Sequence, residues 1–321
     1  MNKKYKVVLT DHVYPDLEYE TEQLAAVNAE LCYLNSRDEE AIASAVHDAD
    51  AVITCYANIS ASAIRGMTQC RSITKTGIGV NNIDVATATD CGIQVMNVPD
   101  YCIEEVSDHT VALIMSMARK VVKLSQNVTE GSWSMKGARN ISRLKGKTLG
   151  LLGFGKIARR IAEKMEPFGM KTLSYDPYIS AEQMQAYSVT KDSLYEILEQ
   201  AHVVSLNLPL TKETDHIANE DFFSRMRSDA FLVNTSRGGL VNESALYQAI
   251  VSGRISGAAL DVLNDEVNIT GNPLMGCKNV IITPHSAFYS AESTQELREK
   301  VIADVIAVMQ GKQPLYPVNK I

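Results

Sequence analysis

The sequence contains 321 residues, enough for two domains, because single domains commonly contain about 100–200 residues. Its net charge is −7, and its densest basic stretch, residues 139–147, is interrupted by neutral residues, which argues against a nucleic-acid-binding protein. The six cysteines form no Cys-x-x-Cys pair, and no apolar run is long enough to span a membrane. We therefore expect a soluble cytoplasmic protein without a metal site or disulfides.

The first hundred residues alternate short β-branched runs with helical stretches, a pattern typical of βαβ units and a parallel sheet. The predicted elements here are strands at Tyr5–Leu9, Ala51–Thr54, 72–74 and 92–98, and a helix at Glu39–Val46. A single long helix is predicted over residues 103–124, because apolar residues recur there at spacings of three or four. We expect His109, within this helix, to be a packed structural histidine.

A second alternation begins at residue 148 and predicts a doubly wound sheet in the middle of the chain. Its predicted elements are strands at Thr148–Leu152, Lys171–Tyr175, Val203–Leu206, Phe231–Asn234, 258–261 and 280–283, and a helix at 157–168. A last amphipathic helix, residues 290–309, is expected to pack back on the first domain.

Gly153, Gly155 and Ala158 form a Gly-x-Gly-x-x-Ala pattern between a predicted strand and a predicted helix. In a dinucleotide-binding loop the first glycine allows a tight turn, the second lets the backbone approach the pyrophosphate, and the helix N-terminus binds the phosphates. Asp176 lies 23 residues after Gly153, where an acid hydrogen-bonds the adenosine ribose, so the sequence predicts NAD rather than NADP. The alternative is that Asp176 merely starts a turn with Pro177.

Three candidate catalytic residues, Arg237, Glu266 and His285, follow predicted strands of the second alternation. Because ligands bind at the carboxyl ends of parallel strands, we expect all three at one crevice. A guanidinium binds a carboxylate through two parallel hydrogen bonds, histidine exchanges protons near neutral pH, and a neighbouring carboxylate stabilises the imidazolium. These residue types fit hydride transfer to a 2-oxo acid. Taken singly, each could equally be a structural or surface residue.

The sequence resembles the D-isomer-specific 2-hydroxyacid dehydrogenases, in particular their phosphoglycerate dehydrogenase and C-terminal-binding-protein-like branch, over nearly its whole length. The motifs that carry this resemblance are Gly77-Ile-Gly79-Val-Asn-Asn-Ile-Asp84, 146–155, Asn234-Thr-Ser-Arg-Gly-Gly239, Ala259-Leu-Asp-Val262 and Thr283-Pro-His285. The resemblance implies an oxidoreductase that transfers a hydride between NAD(H) and a small D-2-hydroxy acid or 2-oxo acid of hydroxypyruvate, glyoxylate or 3-phosphoglycerate type. It implies that Arg237 binds and polarises the substrate, His285 is the acid/base and Glu266 is its partner.

The resemblance also implies ligand-binding residues. The backbone amides of Ile78 and Gly79 would bind the substrate carboxylate, and Tyr101 and Cys102 would line the substrate entrance. Lys75 either meets a phosphate or another anionic group of the substrate or is simply solvated. Asp261 would hold the nicotinamide carboxamide, and the other residues expected at the cofactor are Gly153, Phe154, Gly155, Lys156, Ile157, Asp176, Pro209, Thr211, Thr235 and Ser236.

The fold implied by the resemblance is α/β, with a central Rossmann-type doubly wound parallel sheet and a flavodoxin-like substrate domain built from both chain ends. We assign residues 1–100 and 290–321 to the substrate (catalytic) domain and residues 101–289 to the NAD-binding domain. A homodimer is also implied, and the long apolar helix that starts at Ile103 offers surface for it. The sequence departs from the family pattern where Val267 follows Glu266 in place of the usual proline, and where Asn81 replaces an aspartate.

A rival function is an NAD(H)-sensing, protein-binding scaffold of corepressor type, in which catalysis is incidental. Such proteins can keep the arginine, glutamate and histidine, so these residues do not separate the two functions. Turnover measured across a panel of 2-oxo acids would separate them.

Overall fold

The structure, a computed structural model, describes residues 4–135 and 141–321, and the chain divides into two compact units. The first unit is built from both chain ends, up to Tyr101 and from Ser290 onward, and the second contains Cys102–Tyr289. The assignment of the first unit to the substrate and the second to NAD stays a prediction. Residues 139 and 140, the start of the basic stretch noted above, lie outside the described residues.

Regular elements alternate along both units. The strands are β1 (Tyr5–Leu9), β2 (Ala29–Tyr33), β3 (Ala51–Thr54), β4 (Ser72–Lys75), β5 (Gln94–Met96), β6 (Thr148–Leu152), β7 (Lys171–Tyr175), β8 (Val189–Lys191), β9 (Val203–Leu206), β10 (Phe231–Asn234), β11 (Gly257–Leu260) and β12 (Val280–Ile282). The helices are α1 (Glu18–Ala25), α2 (Glu39–Val46), α3 (Ala61–Arg65), α4 (Val85–Asp90), α5 (Ile103–Arg119), α6 (Val121–Thr129), α7 (Lys156–Met165), α8 (Ala181–Gln185), α9 (Leu194–Gln200), α10 (Glu220–Arg225), α11 (Glu243–Val251) and α12 (Ala291–Met309).

The first unit contains a five-stranded parallel sheet in the order β2-β1-β3-β4-β5. This is the flavodoxin-like order, as the resemblance implied. Its central strands are buried on both faces, and Val8, Val52, Ile73 and Val95 form the middle of one core cluster. Helix α12 packs on α1 and β4, so the predicted return of the last helix to this domain is confirmed.

The second unit contains a seven-stranded parallel sheet in the order β12-β11-β10-β9-β6-β7-β8. The chain starts at β6, proceeds outward through β7 and β8, and then returns to the other side of β6 with β9. The predicted doubly wound Rossmann-type sheet is therefore confirmed. The order of strands reverses between β6 and β9, which is where an open α/β sheet binds ligands.

Two helix predictions need correction. The single helix predicted over residues 103–124 is two helices, α5 and α6, separated by Lys120 in the left-handed conformation with φ 52°. The apolar periodicity continues across this break, so the pattern contains no sign of it. The helix predicted over residues 157–168 ends at Met165, and a 3₁₀ turn containing Pro167 follows it.

Two further features bear on the classes of protein considered above. Within residues 4–135 and 141–321, no helix combines the length and apolarity needed to cross a membrane. The same residues hold no group of three histidine, cysteine or carboxylate side chains arranged to bind a metal ion.

Candidate active site

The carboxyl edge of the seven-stranded sheet carries all the predicted cofactor and catalytic residues of the second unit. They lie in the loops that follow six adjacent strands, from β12 at one end to β7, except for Lys156 and Ile157, which are the first two residues of α7. Since the strands are all parallel, these loops emerge at the same edge.

The glycine-rich loop joins β6 to α7 at the centre of this edge. Gly153 has φ 93°, and a Cβ there would overlap the carbonyl oxygen of Asn207 at the end of β9, so only glycine fits. A Cβ on Gly155 would instead meet open space. Gly155 is the N-cap of α7, and no side chain caps this helix. The loop therefore leaves backbone surface and helix amides for a phosphate ligand.

Asp176 follows β7 and is tied to this loop. Its Oδ2 accepts a hydrogen bond from the Phe154 N–H at 2.9 Å, and its Oδ1 accepts one from the Tyr178 N–H at 2.9 Å. The second contact is the turn that the sequence left open as an alternative. Asp176 therefore forms the turn and also lies beside the glycine-rich loop, and its contact with the adenosine ribose stays a prediction.

Asn207, which the sequence analysis did not single out, lies just after β9 at the point where the strand order reverses. Its amide nitrogen donates to the Ser205 carbonyl oxygen at 3.0 Å. Its Oδ1 is shielded from solvent and has no hydrogen-bond partner in the described part of the chain. A shielded acceptor without a donor is costly unless a ligand or water satisfies it, so this atom fits a bound dinucleotide with hydroxyl or amide donors. The sequence offered one sign of it, the position directly after a buried strand.

Pro209 and Thr211 lie in the next turn, which Thr214 fixes. The Thr214 hydroxyl donates to the Pro209 carbonyl oxygen at 2.6 Å and accepts from the Thr211 N–H at 2.8 Å. Both predicted residues therefore lie in a structured turn after β9, two to four residues beyond Asn207.

The loop after β10 carries Thr235, Ser236 and Arg237. The Ser236 hydroxyl donates to the Leu206 carbonyl oxygen at 2.8 Å, and the Thr235 and Thr110 hydroxyls share a buried hydrogen bond of 2.8 Å. The half-buried Arg237 donates through Nη1 to the Ser236 carbonyl oxygen at 2.7 Å. These hydrogen bonds fix the loop relative to β9 and α5, and so limit where the guanidinium can lie.

Gly238 brings the Arg237 loop against the loop that follows β11. A Cβ at Gly238 would overlap the carbonyl carbon and oxygen of Leu263, so the two backbones approach each other closely only because the residue is glycine. Leu263 is three residues before Glu266. The structure thus places the two loops with the predicted catalytic arginine and glutamate side by side.

Glu266 and His285 are brought together as the sequence predicted. The Glu266 Oε2 atom lies 2.8 Å from the His285 Nδ1 atom, and the side chains are 37% and 29% exposed. A carboxylate on Nδ1 fixes the orientation of the ring and directs Nε2 to the other side of the imidazole. This is the geometry of an acid/base histidine with a carboxylate partner.

Asp261 is buried directly after β11, where the resemblance implied a contact with nicotinamide. Its Oδ1 accepts from the Thr283 hydroxyl at 2.5 Å and the Ser286 N–H at 3.0 Å, and its Oδ2 accepts from the Ala287 N–H at 2.9 Å. Both carboxylate oxygens are therefore engaged with the turn that carries His285. The contact with nicotinamide stays a prediction.

In the first unit, Lys75 is the last residue of β4 and is buried. Its ammonium group donates to the Cys55 carbonyl oxygen and lies 5.5 Å from the centre of the Tyr56 ring. Arg37 approaches the same ring, with its guanidinium carbon 4.9 Å from the ring centre. Lys75 is thus not a solvated surface lysine, and a second cation that the sequence analysis missed lies close to it.

Asp11 organises the loop on which Tyr56 lies. Its carboxylate accepts from the backbone N–H groups of Cys55, Tyr56 and Ala57 at 2.9–3.2 Å and from the Arg37 Nε at 3.3 Å. Burial alone would raise the pKa of this carboxyl, but these backbone hydrogen bonds outweigh burial and hold its pKa below the ordinary value. The ionised Asp11 therefore fixes the loop at the carboxyl ends of β1 and β3, where the strand order of this sheet reverses.

The predicted carboxylate-binding turn follows Lys75. Gly77 has φ 146°, its N–H donates to the Lys75 carbonyl oxygen at 3.0 Å, and the Asn97 side chain donates to the Ile78 carbonyl oxygen at 2.6 Å. Ile78 and Gly79 are partly exposed. Tyr101 and Cys102 are buried, with 6% and 1% of their surface exposed, so their role at an entrance stays a prediction.

Comparison with known proteins assigns a family to this architecture. Residues 111–287, more than half of the chain, match the model of the D-isomer specific 2-hydroxyacid dehydrogenase, NAD binding domain. A D-3-phosphoglycerate dehydrogenase of Methanocaldococcus jannaschii is 33% identical over 98% of this chain, and the aligned region is 59% of that protein. A glyoxylate reductase of Korarchaeum cryptofilum is 35% identical over 88% of this chain and 86% of its own length.

Solved structures agree with the sequence comparisons. The D-lactate dehydrogenase of Aquifex aeolicus, solved with NAD and lactic acid, superposes with a TM-score of 0.86 at 29% identity. The match covers 95% of this chain and 96% of that one. The chain spans little more than half the length of the phosphoglycerate dehydrogenase that it matches, but nearly the full length of this structural neighbour.

Proposed function

The chain belongs to the D-isomer-specific 2-hydroxyacid dehydrogenase family, and on that premise we propose that it interconverts a small D-2-hydroxy acid and its 2-oxo acid with NAD(H). The observation that carries the proposal is the Glu266–His285 pair, 2.8 Å apart at the same sheet edge as the dinucleotide loop. Because a scaffold of corepressor type can keep these residues, the turnover assay described below is what separates the two functions.

The cofactor would be held by Gly153 to Ile157, with Asp176 at the adenosine ribose and Asn207 Oδ1 as an additional acceptor. Pro209, Thr211, Thr235 and Ser236 would complete its surroundings. When bound, NADH supplies the hydride. A carboxylate at Asp176 disfavours a 2′-phosphate, and we therefore propose a preference for NAD(H) over NADP(H).

In the reductive direction, His285 Nε2 donates a proton to the carbonyl oxygen of the 2-oxo acid. Glu266 on Nδ1 keeps the ring oriented for this step. Arg237 binds the substrate carboxylate and polarises the carbonyl. In the oxidative direction the neutral imidazole takes the proton back, so the two directions require opposite protonation states of His285.

For the substrate, we propose that the backbone amides of Ile78 and Gly79 also bind the carboxylate and that Lys75 binds a second anionic or polar group. Two observations support the role of Lys75. It is buried and oriented by the Cys55 carbonyl group, and the Arg37 guanidinium, which is paired with Asp11, lies beside the same Tyr56 ring. Phosphorylated and dicarboxylic 2-oxo acids are the substrates with the required second anion.

A reduction assay tests the proposal. The purified chain is incubated with NADH or NADPH and a panel containing glyoxylate, hydroxypyruvate, phosphohydroxypyruvate and oxaloacetate. We expect turnover of at least one of these 2-oxo acids and a higher kcat/KM with NADH than with NADPH. In Asp176→Ala the difference in kcat/KM between the two cofactors should be smaller. NADH binding without turnover of any 2-oxo acid would favour the scaffold function instead.

The same panel tests Lys75. In Lys75→Ala we expect a selective rise in KM for phosphorylated and dicarboxylic substrates, because a charge that pairs with the second anion is lost. The control is Lys278→Ala, which removes an exposed lysine that lies before β12 in the second unit. An equal effect on all substrates, or none, would contradict the proposed role.

We also propose that the protein is a cytoplasmic homodimer. Exposed apolar side chains are concentrated on α6 and the segment that follows it, where Val121, Val128, Trp133 and Met135 are 48–91% exposed. Such a concentration is typical of a surface that another chain covers.

A further inference from the structure

His109 on α5 is a largely covered, hydrogen-bonded helix histidine, as the sequence predicted, but its partner lies close in sequence to the proposed acid/base residue. Its side chain is 24% exposed, and its Nε2 atom lies 3.0 Å from the hydroxyl oxygen of Thr283. Thr283 follows β12 and is two residues before His285. The histidine therefore contacts the segment that carries the proposed acid/base residue, although it belongs to a different element.

The hydrogen of each bond can be assigned. The Thr283 hydroxyl has one hydrogen, and it donates this hydrogen to Asp261 Oδ1 at 2.5 Å. The Thr283 oxygen is then the acceptor toward His109, so His109 Nε2 carries a hydrogen and donates it. The donor order runs from His109 to Thr283 to Asp261.

Asp261 in turn holds the backbone around His285. Its carbonyl oxygen accepts from the His285 N–H at 2.8 Å, and its carboxylate accepts from the Ser286 and Ala287 N–H groups at 3.0 and 2.9 Å. His285 has φ 51°, a left-handed conformation that is unfavourable for a residue with a Cβ unless its surroundings impose it. The three accepted N–H groups are what imposes it.

We propose that His109 is a positioning residue for His285. By donating to Thr283, it directs the only hydroxyl hydrogen of that residue to Asp261 and thereby keeps the Asp261 carboxylate aligned with the turn that presents His285. The catalytic consequence rests on the proposed function, whereas the effect on the turn does not.

The position of α5 depends on other contacts. Leu113, Ile114 and Ala118 anchor the helix in a core cluster with β6 and α7. Loss of the His109 imidazole should therefore leave the fold intact and affect the turn selectively, which separates a positioning role from a general structural one.

The test compares His109→Leu, which removes the donor, with His109→Gln, whose side-chain amide can donate from nearly the same place. The matched control is His202→Leu. His202 is 19% exposed in the same unit, but lies at the amino edge of the sheet, where its Nδ1 accepts from the Thr148 N–H. Steady-state reduction, NADH affinity, thermal midpoint and amide hydrogen exchange are measured for each variant.

We expect His109→Leu to lower kcat about tenfold on the best 2-oxo acid, with NADH affinity and thermal midpoint unchanged, because a misaligned acid slows only the chemical step. His109→Gln should retain most of the wild-type kcat, and His202→Leu should retain all of it. Amide hydrogen exchange at Ser286 and Ala287 should be faster in His109→Leu than in the wild type. Exchange within α5 should be the same in the two proteins.

The proposal is overturned if His109→Leu keeps full kcat and wild-type exchange at these two amides, or if His109→Gln loses as much as His109→Leu. If the wild-type protein reduces no 2-oxo acid, the proposed function fails, yet the exchange rates still decide whether His109 orders the turn.

Discussion

Val267 follows Glu266, the proposed partner of His285, at a position where the family usually has proline. Its backbone N–H group forms a hydrogen bond that proline, which lacks an N–H, could not form. This N–H donates to Asp265 Oδ1 at 3.0 Å, and the Asn268 N–H donates to the same atom at 2.8 Å. Hydrogen bonds from the backbone N–H group of Asn268 and, to a smaller extent, from that of Val267 lower the pKa of the Asp265 carboxyl. An ionised Asp265 therefore fixes the Glu266 loop by hydrogen bonds, in place of the restricted φ of proline.

This arrangement predicts that Asp265→Ala lowers kcat for 2-oxo acid reduction by roughly 3–10-fold, because Glu266 is held less firmly on His285. In Asp265→Asn the side-chain oxygen can still accept both N–H groups, so most of the activity should remain. Steady-state kinetics with NADH on the best substrate measures both variants. An equal loss in the two would show that charge near Glu266, and not the turn, is what matters.

At the scale of elements, the loop between β6 and α7 contains two glycines with different functions. Gly153 is required by the fold, since its φ is 93° and a Cβ would overlap the backbone after β9. Gly155 has φ −73° and open space around it, so the fold alone does not require glycine there.

We therefore predict opposite effects of the two alanine substitutions. Gly153→Ala should lower the thermal midpoint of the protein markedly, since the clash is with backbone that cannot move aside cheaply. Gly155→Ala should leave the midpoint nearly unchanged and weaken NADH binding, because the methyl group occupies the space in which the pyrophosphate approaches. Calorimetry and NADH fluorescence titration check the pair. Normal NADH affinity in Gly155→Ala would contradict the assigned position of the cofactor.

Most of the strands whose bounds the sequence predicted are largely buried. Strands β3, β6, β9 and β10 are short, mostly apolar runs between turns, and β1, β7 and helix α2 also have the predicted bounds. Strands β2 and β8 were missed because they lie at sheet edges, where half of each strand is exposed and the apolar run is interrupted. The break at Lys120 could not be predicted either, since left-handed lysine has no sequence signature.

The candidate site likewise contains residues that the sequence could predict and contacts that it could not. Arg237, Glu266 and His285 could be predicted because residues that directly follow parallel strands lie at the same carboxyl edge of the sheet, where catalytic side chains converge. The His109–Thr283 contact and the hydrogen bonds of Asp11 to the loop at Cys55–Ala57 depend on neighbours far away in sequence. The unsatisfied Oδ1 atom of Asn207 depends on the burial of that atom in the folded chain. They became visible only with the structure.

At the scale of the whole molecule, the family, the α/β fold class and the dinucleotide cofactor predicted from the motifs are confirmed by the matching family model and the solved relatives. The homodimer stays a prediction. It is expected to bury the apolar side chains of α6 and residues 133–135, so Val121→Asp together with Val128→Asp should shift the protein toward monomer. Light scattering at micromolar concentration tests this, and a monomeric wild-type protein would contradict the dimer.

In the proposed function His285, oriented by Glu266, exchanges the substrate proton during hydride transfer. The most direct measurement is the kcat of His285→Ala for NADH-dependent reduction of the best 2-oxo acid, together with its NADH dissociation constant. We predict that kcat falls by roughly 10²–10⁴ while NADH affinity is retained, because the substitution removes the acid but leaves the dinucleotide loop intact. Near wild-type turnover by His285→Ala would contradict the account.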